Sequence, residues 1–142
     1  MTIQLDGIAN ERELWVPVSP EVVGEPTLSL GIFTGTAILR FNGTGPDFIR
    51  DSLQFSVGQV LVGGAQVQGI SAIGSLASIA NEGEAINSGW AVDAVVAALD
   101  PGTRRFVVTA QLAVRDSDGS VQRISYEVNA VVLFPAIQVV GP

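Results

Sequence analysis

Apolar and polar residues alternate with period two in three consecutive segments towards the C-terminus: GWAVDAVVAAL (89–99), RRFVVTAQLAVR (104–115) and VQRISYEVNAVVLF (121–134). Such a period sends successive side chains to opposite faces of a β-strand. The larger apolar residues take the even positions: Trp90, Val92 and Val96, then Phe106, Val108 and Leu112, then Ile124, Tyr126, Val128 and Phe134. The pattern predicts a three-strand antiparallel meander with one buried face.

For even residues of adjacent antiparallel strands to share a face, each loop must hold an odd number of residues. Three-residue loops at Asp100-Pro101-Gly102 and Ser117-Asp118-Gly119 satisfy this, with glycine at the left-handed position. The resulting register sets Val96 opposite Phe106, Trp90 opposite Leu112, Leu112 opposite Ile124 and Ala110 opposite Tyr126. On the outer face it gathers Asp93, Thr109, Gln111, Ser125, Glu127 and Asn129 in the middle. At one end of that face it gathers Val95, Ala97, Leu99, Val107, Val131 and Leu133, an apolar patch that predicts contact with another layer, a second subunit or a protein partner.

Upstream, TLSLGIF (27–33) and TAILRF (36–41) read as a hairpin about Thr34-Gly35, and SLQFSV (52–57) as a strand with Leu53, Phe55 and Val57 on one side. Asn42 to Pro46 is a loop by its turn residues. WVPVSP (15–20) is extended and suits a sheet edge because of its prolines, and Asn10 to Leu14 is assigned one helical turn. Residues 52–81 contain no ionisable side chain. Within them the glycines at 58, 63, 64, 69 and 74 would each cost a helix about 1 kcal/mol relative to alanine, so the stretch reads as strands bent at glycine. The chain as a whole reads as one all-β domain spanning 1–142, an antiparallel sandwich of nine to eleven strands, with a closed barrel as the alternative.

Composition narrows the chemistry more than it names it. Fourteen Asp plus Glu against seven Arg give a net charge of −7, which repels nucleic acid and anionic membrane surfaces. Histidine, cysteine and lysine are all absent, so Ser-His, Cys-His and Schiff-base machinery, thiolate or imidazole metal sites and lysine phosphate loops are excluded. No cofactor is implied. The acidic first residues do not form a signal peptide, which leaves the cytoplasm as the default compartment, and glutamines and serines interrupt the neutral run before it could serve as a membrane helix.

Four constellations remain. Asp93 and Glu127 share a rung in the predicted register with one strand between them, roughly 10 Å apart, near the upper end of the carboxylate separation of inverting glycosidases. Against this stands their simpler role as solvated carboxylates. Asp116, Asp118 and Glu127 occupy positions 1, 3 and 12 of a calcium-loop count, but the glycine is misplaced and a strand follows, so a hairpin turn accounts better for Asp116 and Asp118. Trp15 is free to serve as a sugar-stacking platform, whereas Trp90 and Tyr126 point to the core. Arg104 and Arg105 could clamp an anion, or simply solvate a hairpin end. Three functions follow in order: a non-enzymatic interaction or self-assembly domain, a small-ligand or carbohydrate-binding module, and a carboxylate-based, glycosidase-like enzyme.

Overall fold

The computed structural model describes residues 2–42, 47–80, 89–115 and 121–136. Among the described residues seven strands are formed: β1 (Thr2–Pro17), β2 (Thr27–Asn42), β3 (Ile49–Val57), β4 (Gln66–Ala80), β5 (Gly89–Leu99), β6 (Phe106–Arg115) and β7 (Val121–Phe134). They make a four-stranded sheet in the order β1-β2-β7-β4 and a three-stranded sheet in the order β3-β6-β5, every pairing antiparallel. The all-β sandwich expected from the alternation is present, and the sheets do not close into a barrel.

The strands are fewer and longer than expected. β2 runs 16 residues through Thr34-Gly35 without a turn, because its inward phase is unbroken: Phe33, Ala37, Leu39 and Phe41 are all buried odd positions. Gly35 is not a turn residue. It lies between Thr34 and Thr36 in the ladder, opposite Tyr126, and a Cβ there would overlap the Tyr126 ring and hydroxyl. Likewise β1 continues through 10–14 in place of the helical turn. Its registers with β2 shift between Leu5 and Gly7 and between Ala9 and Arg12, and Asn10 takes a φ of 56° in the second bulge. The extended reading of WVPVSP is correct as far as Pro17, and β1 is a sheet edge.

The meander is the main correction. β5 and β6 form a hairpin, but β6 and β7 are the central strands of different sheets. Leu112 and Ile124, and Ala110 and Tyr126, are therefore not cross-strand neighbours; β6 and β7 present their even faces to each other across the interior. Parity arguments cannot separate these arrangements, since both require the even residues of both strands to be buried. The hairpin also differs in register: Leu99 pairs with Phe106, and Asp100 and Arg105 close a four-residue loop. Asp100 accepts hydrogen bonds from Gly102 N and Thr103 Oγ1, and Arg104, with φ 57°, takes the left-handed position predicted for Gly102. The even-length loop turns Val95, Ala97 and Leu99 inward. The register shift at Asp93 restores even parity beyond it, so Val92 also faces the core.

The core is continuous between the sheets. Phe33 lies 5.3 Å from Phe106 and Phe55 5.1 Å from Tyr126, ring centre to ring centre across the interior. The internal cavity bounded by Leu39, Leu53, Phe55 and Tyr126 has a volume of about 10 Å³, too small for any ligand and barely enough for one water. Among the described residues no helix is long and apolar enough to cross a membrane.

Of the neutral stretch, 66–80 is β4 and 58–65 is an ordered loop. Leu61 and Ala65 enter the core, leaving Val60 and Val62 exposed. The loop carbonyls are held by the two arginines of the β5–β6 turn: Arg104 donates to Leu61 O at 3.1 Å and Val62 O at 2.6 Å, and Arg105 donates to Gly58 O at 2.9 Å. These arginines clamp backbone carbonyls in place of an anion. Replacing Arg104 with Ala is expected to cost about 1–2 kcal/mol, the range of hydrogen bonds to a charged donor discounted for partial exposure. Arginine and alanine pay alike for the left-handed φ, so the loss reports the clamp. Limited proteolysis should show faster cutting within 58–65.

Candidate functional site

The residues that could act on another molecule lie on the outer face of the four-stranded sheet. Pairing aligns them in rungs from β1 to β4: Leu28, Leu133 and Gln66; Val16, Leu30, Val131 and Gly69; Leu14, Ile32, Asn129 and Ser71; then Arg12, Thr34, Glu127 and Ile73. The first three rungs carry no charge. Leu14 is 57% and Val16 41% exposed, while Leu28, Leu30, Ile32, Val131 and Leu133 are half-buried by one another. The fourth rung carries one positive and one negative group, so this half of the face has no net charge in a chain of −7.

Beyond the fourth rung the face turns polar. Asn10, Arg12, Thr34, Thr36, Ser75, Ser125 and Glu127, together with Ile73, line a groove of about 650 Å³. Gly35 and Gly74, which flank Tyr126 on the two neighbouring strands, line it as well. A smaller cleft of about 250 Å³ opens on the side of the sandwich between Glu11–Glu13 and Val57–Gln59, with Arg105 and Tyr126 in its wall. Burial, and secondarily the Glu11 carboxylate, push the Tyr126 phenol up to about 12. The phenol therefore stays protonated and is no base near neutral pH.

The predicted site residues separate. Glu127 lies on the outer face of the four-stranded sheet, whereas Asp93 lies on the three-stranded sheet, 3.5 Å from Arg50. The rung through Asp93, Thr109 and Glu127 does not exist, and two carboxylates on opposite sides of a sandwich cannot flank one glycosidic bond. Of the six predicted interface residues, Val95, Ala97 and Leu99 pack against the core. Val107 lies on the outer face of the three-stranded sheet between Ser56 and Ala98. Val131 and Leu133 do lie on an outer apolar face, in company the sequence pattern had not assigned: Leu14, Val16, Leu28, Leu30 and Ile32.

Trp15 is not a free platform. Its ring covers Gly31, where a Cβ would overlap it, and meets Phe33 and Phe134 edge-on at 5.6 and 5.2 Å. Its Nε1 donates to Glu13 Oε1 at 2.9 Å. Tyr126 is buried as expected. Asp116, Asp118 and the Trp90 side chain lie outside the described residues, as do the turn expected at 117–119 and all but Asn42, the last residue of β2, of the loop expected at 42–46.

No protein-family model matches this chain, and no curated protein or solved structure is similar to it. The face itself is the ground for a functional reading.

Proposed function

We propose that this protein is a non-enzymatic module that assembles with copies of itself through the four-stranded sheet. The observation that carries the reading is the uncharged apolar half of the outer face, with Leu14 and Val16 as its most exposed members. Faces of this kind on soluble proteins mark contact sites, and a half-face of zero net charge is where copies of an acidic chain meet with least repulsion. The lack of histidine, lysine and cysteine, and the separation of Asp93 from Glu127, leave no assembled acid–base pair among the described residues to favour an enzyme.

Light scattering across a concentration series is expected to show reversible association. The double substitution Leu14→Glu and Leu30→Glu should abolish the contact made by this face and lower the mass reached at the highest concentration while leaving the circular dichroism spectrum unchanged, because both side chains point away from the core. A protein that stays monomeric at every concentration overturns the reading. A second reading, a module for polyhydroxylated ligands, is favoured by the hydroxyl-rich groove of Thr34, Thr36, Ser75 and Ser125; a glycan screen that is silent for both the native protein and Glu127→Gln dismisses it.

A further inference from the structure

Each of the two sheets has two edges, and three of the four edge strands carry the features that discourage pairing with another chain. β1 contains Asp6, Glu11, Arg12, Glu13, Pro17 and two register shifts. β3 carries Arg50 and Asp51 in a nine-residue strand. β5 is bulged at Asp93. β4 is different: 15 residues without charge or proline, at the end of its sheet, with no pairing partner on its far side among the described residues. Its register with β7 shifts at Gln68 and again at Ala77, leaving Gly69–Leu76 as a regular stretch.

That regular stretch is chemically palindromic. Reading outward from Ile73, Ala72 matches Gly74, Ser71 matches Ser75 and Ile70 matches Leu76. We infer that two copies of this chain join edge to edge through β4, antiparallel about a twofold axis at Ile73, making one eight-stranded sheet from two of four. This rests on the self-assembly reading and adds a second contact to the one made by the outer face, since β4 and the β1 residues Leu14 and Val16 lie at opposite edges of the sheet.

A twofold axis normal to the sheet keeps each face on its own side, so it must pass through a residue, not between residues. With the axis at Ile73, every residue meets one of its own kind: isoleucine on isoleucine, serine on serine, small on small, isoleucine on leucine. Moved to Ala72 or Gly74, it sets Ile73 against Ser71 or Ser75 and loses the match. Ile73 is 64% and Leu76 44% exposed in the single chain, so the pairing covers apolar surface that is otherwise wet. No carboxylate meets another along the seam, since residues 52–81 contain none. The two outer faces would then lie side by side as one continuous surface.

The absence of cysteine makes the test direct. Ile73→Cys places one thiol on the axis opposite its own copy, and Gln54→Cys places one on an exposed position of β3 as a control. Under mild oxidation Ile73→Cys is expected to be trapped as a disulfide-linked dimer, and Gln54→Cys to stay largely single. Ile73→Lys sets like charges against each other and is expected to weaken association by about tenfold or more; its exposure means that folding, checked by circular dichroism, survives. If the native chain associates but Ile73→Lys associates equally and Ile73→Cys cross-links no more than the control, the edge pairing is overturned and self-assembly by another surface stands. If the native chain is monomeric throughout, both fall.

Discussion

Replacing Phe33 with alanine is expected to lower the free energy of unfolding by about 3–5 kcal/mol, the range for emptying a buried phenylalanine site. Phe33 is 2% exposed and joins four parts of the molecule. It extends the inner face of β2, packs on Phe106 of the other sheet, receives the edge of Trp15 from β1, and lies against Gly58 at the start of the 58–65 loop. Gly58 has a φ of +74°, and a Cβ there would overlap the Phe33 ring, so glycine serves both the backbone conformation and the close approach. Since domains of this size are held by about 5–15 kcal/mol, the substitution removes a large part of the stability. A urea titration should show a lower midpoint with an unchanged slope. Leu14→Ala, an outward position, should move the midpoint little, by less than about 0.5 kcal/mol.

The second large effect is at alkaline pH. The Tyr126 phenol ionises near 10 in the unfolded chain and at about 12 in the folded protein, raised first by burial and then by the charge of Glu11. Below pH 10 both states hold the proton and the stabilisation is complete. Between 10 and 12 the unfolded state loses the proton that the folded state retains, so stability falls with rising pH, by on the order of 2–3 kcal/mol once both have titrated. Tyr126 is the only tyrosine and the chain has no lysine or cysteine, so tyrosinate absorbance reports this one group. Its midpoint should lie near 12 in buffer and return towards 10 in urea. Tyr126→Phe keeps the ring on Gly35 and Phe55, and its stability should be flat across the same window. An equal alkaline loss in Tyr126→Phe would show that another group is responsible.

What could be read from the sequence is clearest at these two aromatics. The period-two pattern placed Tyr126 and Phe106 inside, and both are buried. Phe33 falls in the expected strand 27–33, which in the structure continues past Gly35 because Gly35 is not a turn. Its reason for being glycine is the ring of Tyr126, more than ninety residues away in sequence, which no local pattern contains. Gly31 has the same explanation in Trp15, and that contact is also why Trp15 is a packing residue.

The outer face was legible in part. Val131 and Leu133 stand out from the apolar end of the expected outer face, but their neighbours come from β1 and β2, to which the alternation assigns no face. One residue of loop length puts Val95, Ala97 and Leu99 on the side opposite to the expected one, and one bulge at Asp93 returns Val92 to the inside. Because side-chain direction alternates at every residue, a single inserted residue reverses a whole face.

The sequence by itself determined that the chain is all β, which residues of β6 and β7 are buried, and which chemistries are missing, since these follow from alternation and from the residue types present. The tertiary structure alone decided that β6 and β7 belong to different sheets, that Asp93 and Glu127 are far apart, and that the neutral run is divided between the end of β3, a clamped loop and the edge strand β4. Those outcomes depend on which strand lies beside which. Backbone hydrogen bonds are the same between any two strands, so the choice of neighbour is made by side chains meeting across the core, Tyr126 over Gly35 and Phe33 against Phe106, and not by any pattern within one strand.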